Sequence, residues 1–233
     1  MLLDRYLPQP PATILDVGGG PGVYAADLNE AGYDVELIDL VPRHIRQATE
    51  RGIRCQVGDA RRLPVPAASQ DAVLLLGPLY HLQDRSDRIT ALREAVRVAR
   101  PGSPVFAAAI SRYAPAIDGL DSGFFDDPAF AKLLEAVTAT GLHENPTDNP
   151  DYFTTSYFHL PEDLAVELEE AGLEKVEVLA IEGIGWVAAD LDDRLDDGEQ
   201  QRRLMTLLQQ LERQPSILGA SPHLLGVGWV RNR

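Results

Sequence analysis

The feature that most constrains the fold is an alternation of short apolar runs and helical segments across residues 13–110. "TILDV" is a β-branched run bounded by Pro11 and Gly18, which predicts a buried strand. A helix is predicted from about Val23 to Ala31, closed by Gly32. "DVELIDL" is a second strand, and "PRHIRQATERG" suits a helix between Pro42 and Gly52. "IRCQVGD", "DAVLLLG" and "PVFAAAI" are the third to fifth strands. The fourth is apolar almost throughout, as a strand covered on both faces must be. Ile89, Leu92, Val96 and Ala99 recur at helical spacing and predict a helix over 84–100, stopped at Pro101–Gly102. Five alternations predict an α/β fold: a doubly wound parallel sheet with helices on both faces.

The alternation breaks at Ser111 and resumes near Pro161. Between them, Phe130, Leu133, Leu134 and Val137 mark a helix closed by Gly141. Residues 113–158 hold eight of the chain's 15 Phe, Tyr and Trp residues, too many for a solvated loop. The 233 residues are therefore read as one domain with an inserted cap at about 111–160. "PEDLAVELEEAG" is a helix and "KVEVLAIEG" a sixth strand. "LDDRLDDGEQ" reads as an acidic, solvated connection. Leu204, Leu207, Leu208 and Leu211 mark a last helix, and "HLLGVGWVR" a final strand.

Composition removes several classes of partner. Acids outnumber bases 36 to 21, a net charge of −15, which argues against nucleic acid and against an anionic membrane surface. The single Cys55 cannot form an intrachain disulfide. "MLLDRYLPQPP" lacks a signal peptide's apolar core, and no apolar run is long enough to span a bilayer. These features predict a cytoplasmic protein; abundant Ala and an excess of Arg over Lys fit a GC-rich bacterial genome. The histidines are scattered and the acids lack ligand spacing, so no metal site is expected.

The stretch "ILDVGGGPGVYAADL" carries the chemistry. Glycines between a strand and a helix N-terminus leave backbone N–H groups open to a ligand. Two registers overlap. Gly20-Pro21-Gly22-Val23-Tyr24-Ala25 satisfies G-x-G-x-x-A, with Asp39 about 20 residues downstream, as in dinucleotide sites. The other register is Asp16-x-Gly18-x-Gly20-x-Gly22, with an acid ahead of the glycines. An ammonium group needs such an acid, whereas a pyrophosphate is repelled by it. Asp39 ends the second strand, where it can accept from ribose hydroxyls, and Asp59 follows the third, where it can accept from an adenine amino group. Three acids on one sheet edge suit a ligand with an ammonium, a ribose and an adenine but no phosphate.

With these residues the chain resembles the class I S-adenosylmethionine-dependent methyltransferases. "LDVGGGPG", the acid of "LIDL", "GDARRLP", "DAVLLLGPLYHL" and "ALREAVRVARPG" are similar to that family's motifs in order and spacing. The resemblance implies a Rossmann-like, seven-stranded sheet whose last strand runs antiparallel beside the fifth. It implies S-adenosyl-L-methionine as cofactor, held by Asp16, Gly18, Gly20, Gly22, Tyr24, Asp39, Leu40, Asp59 and Ala60, with Leu76 and Gly77 near the sulfonium. The family's helix ahead of the first strand has only about a dozen residues to form from here.

Methyl transfer to an alcohol or phenol also calls for a base. The candidates are His81, directly after strand four, His143 in "GLHENP", and His159 with Tyr157 as partner. "YFTTSYFH", read as extended chain, places Phe153, Thr155, Tyr157 and His159 on one face. His44 and His223 read as structural. "LGPLYHL" lacks the Asn-Pro-Pro-Tyr type of sequence found in nucleic-acid and protein-amide N-methyltransferases, which favours a small-molecule acceptor. O-methylation is the first expectation, with N- or C-methylation close behind. The alternatives are an NAD(P)-dependent oxidoreductase and a non-catalytic module that binds cofactor and a protein. An aromatic-rich insertion also suits a homodimer surface.

Overall fold

The computed structural model describes residues 2–147, 149–188 and 190–232. The alternating region runs β1 (Thr13–Val17), α1 (Val23–Glu30), β2 (Asp34–Asp39), α2 (Pro42–Glu50), β3 (Arg54–Val57), β4 (Ala72–Leu75), α3 (Pro78–His81), α4 (Arg85–Val98) and β5 (Pro104–Ile110). These strands pair in parallel: β3 on β2, β2 on β1, β1 on β4 and β4 on β5. β4 and β5 are buried at every position, which is why their sequences are apolar without alternation. Asp71 joins the entries of β1 and β4, accepting the amide and the hydroxyl of Thr13, each at 2.8 Å.

After β5 come α5 (Ala114–Ser122), α6 (Pro128–Thr140), β6 (Leu142–His143), β7 (Ser156–Tyr157), α7 (Pro161–Glu170), β8 (Leu173–Ala180), α8 (Leu191–Asp196), α9 (Gly198–Leu211), α10 (Pro215–Leu218) and β9 (His223–Val230). The main sheet has seven strands in the order β3-β2-β1-β4-β5-β9-β8. β9 is antiparallel to β5. The amide of Gly102, before β5, donates to the Val230 carbonyl near the end of β9, and the amide of Ser111, after β5, donates to Pro222, before β9 (2.8 Å each). The expected Rossmann-like sheet with a reversed last strand is therefore present. β6 and β7 form a separate antiparallel pair.

The chain gathers into two compact units. The first takes residues up to Ala108, with Ala165–Glu177 and the chain from Gly226. The second takes Ala109–Leu164 and Val178–Leu225, so it extends well beyond the expected 111–160 insertion. Within the first unit, Arg88 of α4 is 1% exposed and grips the buried Glu167 of α7 through Nε and Nη2 at 2.8–3.1 Å. Its Nη1 also donates to the carbonyls of Leu82 and Gln83, just past α3.

Two elements depart from the sequence reading. The stretch 191–196, expected as a solvated connection, is helix α8. α5 was not anticipated, because Pro115 and Gly119 weaken its helical pattern. Packing explains Gly119: a Cβ there would lie 2.5 Å from the Phe130 ring. Among the described residues, no helix is long and apolar enough to cross a membrane, and no three His, Cys, Asp or Glu side chains are placed to hold a metal.

Candidate functional site

In the first unit, β1 has β2 on one side and β4 on the other, so successive crossovers leave in opposite directions there. The loops after β1 and β4 diverge at such a point and leave a crevice at the strands' carboxyl ends. The loop after β1 is shaped by glycine. Gly18 has φ +69, and a Cβ on it would lie 2.6 Å from Pro78 Cγ, so only glycine lets the two loops touch. Gly20 has φ +58, and a Cβ on it would meet nothing within 4 Å, so its approach is open. Gly22 is the N-cap of α1.

Asp16 lies fully buried beneath this loop. Neither of its carboxylate oxygens has a hydrogen-bond partner among the described residues. Burial, and secondly the charge of Asp39, push its pKa up to about 7. A Cβ on Gly19 would lie within 2.3 Å of Asp16 Oδ2, so the bare backbone there makes room for the carboxylate. An unpartnered buried carboxylate is costly alone and becomes favourable once a cation reaches it. That fits the ammonium of an amino-acid cofactor.

Asp39 ends β2 and is 6% exposed. Its Oδ2 accepts the Gly20 amide at 2.9 Å; its Oδ1 accepts the Val41 amide at 2.8 Å and lies 3.1 Å from His44 Nδ1. A carboxylate has about four accepting positions, so ribose hydroxyls would use the remaining one and share or displace His44. His44, read as structural from sequence, is thus a direct neighbour of this candidate acid. The available signal was its place in the first turn of the helix that follows a strand-end acid. Asp59 is occupied: its carboxylate accepts the Arg61 amide at 2.9 Å and the Arg61 guanidinium at 2.6–3.2 Å, which holds its carboxyl below the usual range. An adenine amino group would share that carboxylate with Arg61.

Of the other expected cofactor residues, Leu40, Ala60, Leu76 and Gly77 follow β2, β3 and β4, while Tyr24 is in the first turn of α1. Tyr24 and Leu40 are exposed, at 46% and 62%, while Ala60, Leu76 and Gly77 are half-buried. His81 belongs to this unit and lies beside Tyr80, ring centroids 4.6 Å apart. Burial lowers its pKa, against the opposing pull of Asp39, so the ring is neutral near pH 7.

The second unit contains a cavity of about 840 Å³. Phe130, Tyr152, Phe153, Phe158 and Trp186 give it aromatic walls, and His143 also lines it. His143 is 2% exposed, stacks on Phe158, and has Nε2 2.7 Å from the Tyr152 carbonyl. Tyr157 and His159 meet edge-on, ring centroids 4.8 Å apart, and Arg112 donates to the Tyr157 hydroxyl. Neither is among the cavity's described lining residues. The extended reading of 152–159 breaks down because Pro150–Tyr152 is a 3-10 turn and Phe153 takes φ +63. Only Ser156–Tyr157 forms strand, so Tyr152, Phe153 and Phe158 share the cavity instead of alternating across two faces. The sequence reading also missed Trp186, His223 and the aspartates of 190–193, all of which line it. His223 is held by Glu182, Nδ1 to Oε1 at 2.6 Å.

Residues 14–102 match the methyltransferase domain family. A demethylmenaquinone methyltransferase from Deinococcus radiodurans is 32% identical over 49% of this chain and 48% of its own length. The chain thus spans about half the length of the first curated relatives it matches. A ubiquinone/menaquinone biosynthesis C-methyltransferase from Caulobacter sp. is 29% identical over 77% of this chain and 74% of that one. A solved S-adenosylmethionine-dependent methyltransferase from Methanosarcina mazei has the same fold, with TM-score 0.64 over 99% of this chain and 98% of that one at 16% identity. Residues 14–102 thus carry a methyltransferase domain, and the fold is that of the S-adenosylmethionine-dependent methyltransferases.

Proposed function

We propose that the chain transfers a methyl group from S-adenosylmethionine to a small-molecule acceptor. The observation that carries this reading is Asp16, a buried and unpartnered carboxylate beneath an open glycine loop. The ammonium of the cofactor satisfies it. A dinucleotide pyrophosphate would instead bring negative charge against both Asp16 and Asp39. In this reading Asp16 holds the ammonium, Asp39 accepts from the ribose, Asp59 accepts from the adenine, and Leu76 and Gly77 flank the sulfonium.

Bound S-adenosylmethionine supplies a methyl group already activated by its sulfonium. The chain's own task is to position the acceptor and exclude water. The cavity of the second unit is our candidate acceptor site, and its 840 Å³ lies within the range of small-molecule pockets. The acceptor named for the Deinococcus relative, demethylmenaquinone, is a small molecule, which supports an acceptor of that class here.

Thermal unfolding with S-adenosylhomocysteine or NADH tests the reading. Stabilisation by S-adenosylhomocysteine alone is expected. Stabilisation by NADH alone would transfer the site to a nicotinamide-dependent oxidoreductase. Cofactor binding with no S-adenosylhomocysteine formed from any of a panel of phenols, amines and quinols would leave a binding module.

A further inference from the structure

The cavity of the second unit is strongly acidic at its mouth. Asp118, Asp121, Asp151, Asp190, Asp192 and Asp193 all line it and all are exposed. Neither lysine nor arginine is among its described lining residues. Carboxylates alone would only make a solvated rim. The second observation lies deeper, at His143.

The Tyr152 carbonyl can only accept, so His143 Nε2 must carry the hydrogen of their 2.7 Å contact. Nδ1 is then left with a lone pair. It is buried and has no hydrogen-bond partner among the described residues. The ring cannot turn to find one without losing its Nε2 bond and its stack on Phe158, centroids 4.8 Å apart at 17°. Burial lowers the ring's pKa, which keeps that lone pair available near neutral pH. A buried acceptor left unsatisfied is destabilising, and a ligand N–H would remove the penalty.

We propose that this cavity binds an aromatic amine in its protonated form, with His143 Nδ1 accepting one of its N–H groups. The proposal rests on the reading of this cavity as the acceptor site and gives that acceptor its chemical class. The six carboxylates draw a cation in and turn carboxylates and phosphates away. The aromatic walls take the ligand's ring and stabilise its charge through their π faces. An alcohol or phenol could also donate to Nδ1, but it gains nothing from the acidic mouth. To become a nucleophile the ammonium must lose a proton. Its N–H bond breaks, the proton passes to Nδ1, and the bonding pair stays on nitrogen as the lone pair that accepts a methyl group. The acceptor atom is then nitrogen, in place of the oxygen favoured from sequence.

The experiment is calorimetric titration of the full chain with 2-phenylethylamine, 2-phenylethanol and 3-phenylpropionate, with and without S-adenosylhomocysteine. The amine should bind at least roughly tenfold more tightly than the alcohol, the acid should not bind, and about 0.5 M salt should weaken the amine. Equal affinity for amine and alcohol, or binding of the acid, overturns the proposal. The triple variant Asp190→Asn/Asp192→Asn/Asp193→Asn should lose amine affinity several-fold and keep its affinity for S-adenosylhomocysteine. Unchanged amine affinity counts against the acidic mouth. Because substitutions at His143 risk the fold, the wild-type ring is followed by ¹⁵N NMR. Saturating amine should shift the Nδ1 signal away from that of a free lone pair, and an unmoved signal removes His143 from the site. If S-adenosylhomocysteine binds and the amine does not, this proposal falls alone. If the amine binds and S-adenosylhomocysteine does not, the cofactor reading falls and the amine site stands.

Discussion

The carboxylate of Asp39 accepts the backbone amide of Gly20 at 2.9 Å. The acid that would read the ribose therefore also shapes the loop that would cradle the rest of the cofactor. Both depend on one side chain, so its removal should do more than delete a contact. Asp39→Ala is expected to weaken S-adenosylhomocysteine binding by at least about tenfold, since a charge-assisted acceptor is worth roughly 1.5–3 kcal/mol. Asp39→Asn keeps an acceptor for the Gly20 amide and should fall between the two. Calorimetry of the three proteins decides; equal affinity for Asp39→Ala and wild type would take Asp39 out of the site.

Asp16 gives a prediction in pH. Its pKa in the folded chain is about 7, above the ordinary 3.8, because burial penalises the charged form. A raised carboxyl pKa destabilises the fold progressively as pH climbs from about 4 through 7. Asp16→Asn should therefore melt higher than wild type above pH 7, by at most about 4 kcal/mol, with the gain gone below about pH 4. The same variant should bind cofactor less tightly. In the wild type, an arriving ammonium lowers the Asp16 pKa, so binding near pH 6–7 should release a proton. Calorimetry of S-adenosylhomocysteine binding in two buffers of different ionisation enthalpy would show it, and heats that do not depend on buffer would argue against the ammonium contact.

The Arg88–Glu167 pair predicts a stability effect remote from either site. Both side chains are about 2% exposed, and Arg88 also holds the carbonyls of Leu82 and Gln83. Arg88→Met takes the close partner from the buried Glu167 carboxylate, leaving it the more distant Arg85 Nε at 3.8 Å, and should cost up to about 3–5 kcal/mol. The double variant Arg88→Met/Glu167→Leu removes both charges and should recover much of that loss. Denaturant unfolding of the two variants checks the order; a double variant no better than the single one would place the loss in the loop after α3 instead.

The parts of the fold that were legible share a physical cause. β4 and β5 are strands of a parallel sheet buried at every position, so an uninterrupted apolar run is their signature. The strand-end acids were legible because β1, β2 and β3 run parallel, which puts Asp16, Asp39 and Asp59 on one edge. Their partners were not legible. Whether Asp59 is free or gripped by Arg61 depends on a two-residue turn, and His44 reaches Asp39 only through the start of α2. The second unit was least legible because tertiary contacts override local preference there. α5 tolerates Gly119 since the Phe130 ring fills that space, and the positive φ of Phe153 undoes a period-two pattern that looked like strand. The acids of 190–193 looked like ordinary solvated charge because nothing local reveals that Trp186 and Phe158 line the same cavity.

That cavity is drawn from two separate lengths of chain, one within Ala109–Leu164 and the other within Val178–Leu225. A graft of residues 111–160 into a relative would carry most of the rings and His143. It would leave behind Trp186 and three of the six carboxylates, Asp190, Asp192 and Asp193. The cavity's rings and its carboxylates are thus both divided between two stretches of the gene. A change confined to the second stretch reaches Trp186 and half of the carboxylates while the other half and the remaining rings are inherited intact.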